Sequence, residues 1–373
     1  LKYIIITNMY PKNENLYRNA FIHKRVLEYM KRGLDIDVFV LDETLNERKT
    51  YTFENVKVIE GNKFECRRYI DHIKPKKILV HFINRHIIDV LKDYMLNTPI
   101  IVWIHLVEAT AWYRRLFNIT DKSFPKYVLQ NTRQLLCLRS FIKRAEKHNI
   151  HFIFVSNWVK QIAEKDMLIK INNNYHIINN VIDTKIFKYQ PKSEDLRKKI
   201  LLIRPFESKK YANDIAVKAI LELRKRSFFN DLEITIFGKG KLFYKTVKPI
   251  MKFPNVKVHN NFLTHNEIKK QHDLHGIFLC PTRQDSQGVS MCEAMSSGLV
   301  PITTNNSAIP EFVEHNKTGI LTNSPQEIAG AIEYLYRNPG RFRELSISAS
   351  KWISKNCGPE QTIEKELKII LNP

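Results

Sequence analysis

The 373-residue sequence lacks most of the landmarks that would settle its class at a glance. It has no apolar run of about eighteen residues, so no segment reads as a membrane-crossing helix. Its five cysteines (Cys66, Cys137, Cys280, Cys292 and Cys357) are odd in number, scattered and never spaced C-x-x-C. That argues against a disulfide framework and suits a reducing compartment, with Cys280 and Cys292 read as small buried hydrophobes. Eleven glycines and fifteen prolines are too few for a collagen-like or low-complexity chain, and no repeat at a solenoid period occurs. No strand runs into G-x-G-x-x-G and no G-x-x-x-x-G-K-[ST] is present, which disfavours a dinucleotide oxidoreductase and a P-loop NTPase. No H-E-x-x-H or Cys/His cluster points to a metal, and the G-x-S-x-G elbow is missing. A basic motif interleaved with aromatics is also missing, so nucleic acid is not the expected partner.

Acidic residues are scarce. Sixty Lys and Arg against 38 Asp and Glu give a formal charge of +22. Such a surface attracts polyanions, whether nucleic acid, anionic lipid head groups or an acidic glycan, and charge alone does not choose among them. The opening Leu1-Lys-Tyr-Ile-Ile-Ile-Thr7 reads as a first core strand and not as a signal peptide, so a cytoplasmic location is expected. The chain begins with Leu and not Met, as a piece of a longer protein would.

With 43% hydrophobic residues the chain can bury a large core, and its length favours two domains. Tyr3 to Thr7 is a β-branched run. After a polar loop, Phe21, Ile22, Val26, Leu27 and Met30 recur at helical spacing up to Gly33, and Ile36, Val38 and Val40 alternate as a second strand. The unit recurs through Lys77–Val80, the helical Ile87–Met95, Ile100–His105, and His151–Val155 with Ser156 in position to cap a helix from Asn157. The pattern lapses around 183–199 and restarts with strands at 200–203, 232–237, 256–259, 277–280 and 299–303 and helices at 215–223, 288–297 and 327–336. The expectation is α/β: two Rossmann-like, doubly wound domains facing across a cleft. The first covers 1–188 and the second 189–354, with a C-terminal helix at about 355–373 packing back on the first.

Chemistry concentrates in Ile277-Phe-Leu-Cys-Pro-Thr-Arg-Gln-Asp-Ser-Gln-Gly-Val-Ser-Met-Cys-Glu-Ala-Met-Ser-Ser-Gly-Leu-Val-Pro301. A strand leads to a loop bearing Asp285, and Gly288 opens a helix. The backbone amides of Gln287, Gly288, Val289 and Ser290 are placed for an anion, and Asp285 and Glu293 can accept hydroxyl hydrogen bonds. This stretch resembles the E-x7-E signature of family-4 retaining glycosyltransferases, which have the GT-B fold. It keeps Pro281, Gly288, Glu293-Ala294-Met295 and Gly298, and has Asp285 in place of the first Glu. The resemblance implies that Glu293 binds the donor ribose and that Asp285 reaches the transferred sugar.

Further motifs agree. Arg204, at a strand end, and Lys209 with Lys210 resemble the Gly-Arg…Lys-Gly element whose cations grip the donor diphosphate. Two preorganised cations are what a leaving diphosphate requires. His105-Leu-Val-Glu108 resembles the His-Gly-x-Glu segment that faces the donor sugar, and Phe237-Gly238-Lys239-Gly240 resembles a Gly-Asp-Gly turn beside the donor. Arg18 and Asn19 stand where relatives carry a glycine pair, near donor or acceptor or simply at a helix start. The resemblance implies a metal- and cofactor-independent hexosyltransferase. Its partners would be a nucleotide-sugar donor and a glycan or lipid-linked acceptor, in bacterial capsule or lipopolysaccharide synthesis. A non-catalytic glycan- or membrane-binding relative and a related epimerase or phosphorylase stay open. Lys126, Arg133, Arg139, Lys143, Arg144 and Lys147 share a predicted helix with Val128, Leu135, Leu136 and Ile142. That helix suits an anionic membrane, an anionic polysaccharide or a plain solvated face.

Overall fold

The computed structural model of the protein describes residues 2–12 and 19–372. The chain divides into two compact units, Leu1–Val181 with Thr362–Pro373, and Ile182–Gln361.

The first unit is built on strands β1 (Lys2–Thr7), β2 (Asp35–Leu41), β3 (Lys49–Phe53), β4 (Val56–Gly61), β5 (Ile78–His81), β6 (Ile100–Ile104), β7 (Ile150–Phe154) and β8 (Tyr175–Ile177). They lie in the order β3-β4-β2-β1-β5-β6-β7-β8. Every pairing is parallel except the β3–β4 hairpin. The central strands carry unbroken apolar runs, Ile4–Ile6, Ile78–Val80 and Ile100–Ile104, because both faces are covered. Ile4, Ile6, Val80 and Val102 enter one core, with residues of helices α2 (Lys63–Ile73), α3 (Arg85–Leu91), α4 (Phe124–Ala145) and α5 (Asn157–Met167). Ile5, Leu79, Ile101 and Trp103 enter the other, with Ile22, Val26 and Tyr29 of α1 (Ala20–Lys31). The Ser156 side chain accepts the Val159 amide at 3.3 Å, capping α5 as its sequence position implies.

The second unit carries β9 (Lys199–Ile203), β10 (Glu233–Phe237), β11 (Val256–His259), β12 (Ile277–Leu279), β13 (Val300–Thr304) and β14 (Ile320–Thr322). All are parallel, in the order β11-β10-β9-β12-β13-β14. Its helices are α6 (Asn213–Leu223), α7 (Phe243–Val247), α8 (His265–Leu274), α9 (Val289–Ser296), α10 (Pro325–Arg337) and α11 (Pro339–Cys357). Phe187 and Tyr189, which the sequence analysis placed on either side of its 188/189 boundary, both pack within this unit. The Phe187 carbonyl accepts from Ser296 Oγ at 2.7 Å, and the Tyr189 ring lies against Gly298.

The last helix, α12 (Pro359–Leu371), runs from one unit into the other. Its Ile363, Leu367 and Ile370 complete the β1 side of the first unit's core beside Tyr29 and Trp103.

The hairpin at 49–61 and helix α2 have no counterpart in the sequence reading. Lys49–Phe53 is an exposed edge strand of mostly polar residues, and edge strands carry little hydrophobic signal. The turn between β3 and β4 places both Glu54 and Asn55 at positive φ, the twist a two-residue hairpin requires.

Candidate functional site

Each sheet reverses its strand order once, and ligands in such sheets sit beyond the carboxyl ends of the strands at that reversal. In the second unit the reversal lies between β9 and β12, where Arg204 and Asp285 meet.

Arg204 follows the last residue of β9. Its side chain is 3% exposed, and its Nη2 donates to the Cys280 carbonyl, beyond β12, at 3.1 Å. The guanidinium therefore spans the reversal, with Nη1 3.6 Å from Asp285 Oδ2. Gly238 follows the neighbouring strand β10, and its missing side chain is what admits this geometry. A Cβ there would come within 2.1 Å of the Arg204 carbonyl and 2.7 Å of the Phe206 ring.

Lys209 and Lys210 lie in a 3-10 turn, Lys209–Tyr211, after a Ser208 cap. Tyr211 ties the cations together: the Arg204 guanidinium is 5.7 Å and the Lys210 ammonium 4.7 Å from its ring centre. Arg283 fixes the same turn from the β12 side. Its amide donates to the Lys210 carbonyl at 2.8 Å, its Nη1 donates to the Lys209 carbonyl at 2.6 Å, and its guanidinium grips both Asp214 oxygens. Neither Tyr211 nor Arg283 was singled out in the sequence analysis. Arg283 stands inside the conspicuous 277–301 stretch, so its chemistry was visible there but its partner was not.

The loop into α9 departs from expectation at two positions. The amides of Gln287 and Gly288 do not face a ligand, because Asp285 Oδ1 accepts them at 3.3 and 2.8 Å. An aspartate two and three residues ahead of such amides closes on them as a local turn. Val289 and Ser290 open the helix, where amides have no partner in a preceding turn. Gly288 takes φ 76° as the residue before the helix. Glu293 is 7% exposed on the second turn of α9. Asp285 thus serves the loop through one oxygen and Arg204 through the other.

In the first unit the reversal lies between β1 and β5. His81 ends β5 and His105 follows β6, the next strand over. The two imidazoles meet through His81 Nδ1 and His105 Nε2 at 3.0 Å, with rings 5.2 Å apart and nearly parallel. Burial holds both well below the ordinary histidine pKa, and the Arg25 charge pushes them the same way. A neutral pair shares one proton across that contact, which leaves Nδ1 as the His105 nitrogen open to another partner.

Glu108 folds back on this segment. Its oxygens accept the amides of His105 at 2.6 Å and Leu106 at 3.2 Å. Burial pushes its carboxyl up to about 7, and those amides hold it from rising further. Leu106 has φ 140° and ψ −59°, a backbone that glycine adopts without strain. It occupies the Gly position of the resembled His-Gly-x-Glu segment and keeps that conformation. Asn19 sits at φ 52° before α1, its Nδ2 donating to Asn8 Oδ1 and the Met9 carbonyl at 3.3 Å each. It anchors the loop after β1. Arg18 lies outside the described residues.

Residues 197–338 match the family model described as glycosyl transferases group 1. A GDP-mannose-dependent alpha-(1-6)-phosphatidylinositol monomannoside mannosyltransferase of Mycobacterium tuberculosis is 25% identical over 153 residues, 38% of this chain and 39% of that protein. The match thus spans well under half of the curated relative's length. Among solved structures, the sucrose-phosphate synthase of Thermosynechococcus elongatus superposes with a TM-score of 0.75 at 12% identity. That alignment covers 100% of this chain and 98% of the other. The Anabaena protein Alr3699/HepE, solved with UDP and glucose, gives 0.71 at 13% identity over 100% and 99%. At such identities the likeness concerns the fold, which is GT-B.

Proposed function

We propose that this chain, whose residues 197–338 match the glycosyl transferases group 1 family model and whose fold is GT-B, is a retaining, metal-independent sugar transferase. It moves a hexose from a nucleotide-diphosphate donor to a glycan or lipid-linked acceptor in bacterial surface polysaccharide synthesis. The observation that carries the reading is the cationic cluster of the second unit. Arg204 is buried across the strand-order reversal, with Lys209 and Lys210 on a turn pinned by Arg283.

That arrangement suits a leaving diphosphate. As the bond from the anomeric carbon to phosphate lengthens, negative charge grows on the phosphate and positive charge on the sugar ring. Fixed guanidinium and ammonium groups stabilise the first. Asp285, beside Arg204, keeps the guanidinium oriented and presents a carboxylate to the sugar. The acceptor hydroxyl then attacks from the face the phosphate leaves, giving up its proton to that phosphate. Glu293 is assigned to the ribose, and His105 on the first unit to the sugar. The mannosyltransferase relative specifies GDP-mannose, and the Anabaena structure holds UDP, so both nucleotides belong in any donor screen.

The test is thermal stabilisation of the full chain by a panel of nucleoside diphosphates, followed by transfer from the matching sugar nucleotides. One nucleotide should raise Tm clearly. A flat panel at saturating concentrations would shift the assignment to a non-catalytic glycan- or membrane-binding relative.

A further inference from the structure

Helix α4 turns an unusual face outward. The residues buried along it are Phe124, Asn131, Leu135, Leu138, Phe141, Ile142 and Ala145, the last five of which join the core with Ile4 and Ile6. Leu136, one of the apolar residues the sequence analysis names on this helix, is 60% exposed, and Leu129, one heptad earlier, is 52% exposed. Steps of three, four and seven residues place these leucines on one outer stripe with Lys126, Arg133 and Lys143, and Lys147 follows in the turn after the helix; all four cations are exposed. The helix contains no acidic residue.

The apolar exposure is concentrated, not scattered. Eighteen large apolar side chains are exposed among the described residues, and six of them fall within residues 107–136. The 3-10 segment Trp112–Asn118 packs on the start of α4, with Trp112 against Phe124 and Arg115 over the Tyr127 ring. It and the loop that follows expose Leu116 and Ile119.

From this composition we infer that the outer face of α4 docks on an anionic lipid bilayer. Cations alone would fit any polyanion, but leucines half or more exposed between them gain nothing from a soluble polymer. At a bilayer surface, cations stay at the phosphates while leucines enter the acyl boundary. No described helix is long and apolar enough to cross a membrane, so the contact is interfacial. The inference deepens the proposed lipid-linked acceptor by naming the face that meets its membrane, and it rests on that reading for no other purpose.

Sedimentation of the full chain with vesicles tests it. Vesicles of equimolar phosphatidylcholine and phosphatidylglycerol should pull the chain down, and phosphatidylcholine vesicles should not. Leu129→Ser with Leu136→Ser should weaken that binding roughly tenfold, and Lys143→Glu with Lys147→Glu by at least about as much. Leu274→Ser, equally exposed in the second unit, should leave it unchanged. Absence of binding to the anionic vesicles overturns the inference. So does binding that ignores the two leucines, which would mark the stripe as a site for an acidic polymer; dextran sulfate retained equally by wild type and the leucine variant would be its signature. Nucleotide stabilisation is read separately, so loss of either property leaves the other measurable.

Discussion

Arg25 and Glu366 stand 341 residues apart in the chain, and in the fold Arg25 Nε lies 2.9 Å from Glu366 Oε1 with neither side chain exposed. The carboxylate is saturated. Its Oε1 also accepts Trp103 Nε1 at 2.8 Å and its Oε2 accepts the Tyr29 hydroxyl at 2.5 Å, while Arg25 Nη2 donates to Asn180 Oδ1 at 3.1 Å. Two charges can be buried here because both carboxylate oxygens accept hydrogen bonds from donors of the first unit.

Removing one partner should therefore be costly. Glu366→Gln leaves the Arg25 charge buried without its counterion and should destabilise the first unit by about 3–5 kcal/mol. Arg25→Met combined with Glu366→Met should cost clearly less, because no lone charge remains. Urea unfolding followed by hydrogen exchange in β1 and β6 checks both, since the two units need not unfold together. A single variant within about 1 kcal/mol of wild type would contradict the reading.

Glu108 gives a pH dependence of defined sign. The folded chain holds its proton up to about 7, whereas the unfolded carboxyl releases it near the ordinary value of 4.5. The contribution of this group to stability is thus full below the unfolded value, falls as pH rises towards 7, and is level beyond. The neutral His81 and His105 act in the opposite sense, because the unfolded chain takes up protons on them as pH falls. The difference between wild type and Glu108→Gln isolates the carboxyl. Between about pH 5 and pH 7.5, wild type should lose roughly 2–3 kcal/mol relative to the variant. Parallel stability profiles would rule this out.

Gly238→Ala should act on binding through Arg204. The added methyl collides with backbone at 2.1 Å, so β9 and β10 must part where Arg204 emerges. Stability should fall by about 1–3 kcal/mol, and nucleoside diphosphate affinity should fall with it. Gly340→Ala is the comparison, since a Cβ there meets nothing within 4 Å and should bind nucleotide as wild type does. Equal nucleotide affinity in both variants, by calorimetry, would detach Gly238 from the site.

Glu293→Ala should fold and yet lose about 10- to 150-fold in kcat/KM, the range for one hydrogen bond to a charged group. Lys209→Met and Lys210→Met, compared in the same assay, should separate the lysine that meets the diphosphate from its neighbour. Spacing favours Lys209. Near-normal turnover of Glu293→Ala would remove the carboxylate from the donor site.

Much of the fold was readable because a parallel sheet covered on both faces writes unbroken apolar runs, as at Ile4–Ile6 and Ile100–Ile104. The strand-end positions of Arg204, Gly238 and His105 followed from the same runs. What escaped had other origins. Lys49–Phe53 is a polar edge strand and gives no such run. The Asp285 turn has a local signature, an aspartate with Gly288 three residues on, but the same amides also fit a helix-start anion site, and the spacing does not distinguish the two. The partnership of Arg25 with Glu366 left no trace at all, because a contact across 341 residues has no local spacing to betray it.

The helical return of Thr362–Leu371 to the first unit bears on how the protein is made. Thr362 follows Val181, the last earlier residue of that unit, by 181 positions, and the whole of the second unit is translated between them. A nascent chain that has emitted only residues up to 181 lacks the counterion for Arg25 and the apolar cover that Ile363, Leu367 and Ile370 lay over β1. The first unit therefore cannot complete that core or pair the Arg25 charge until the whole of the second unit has been translated.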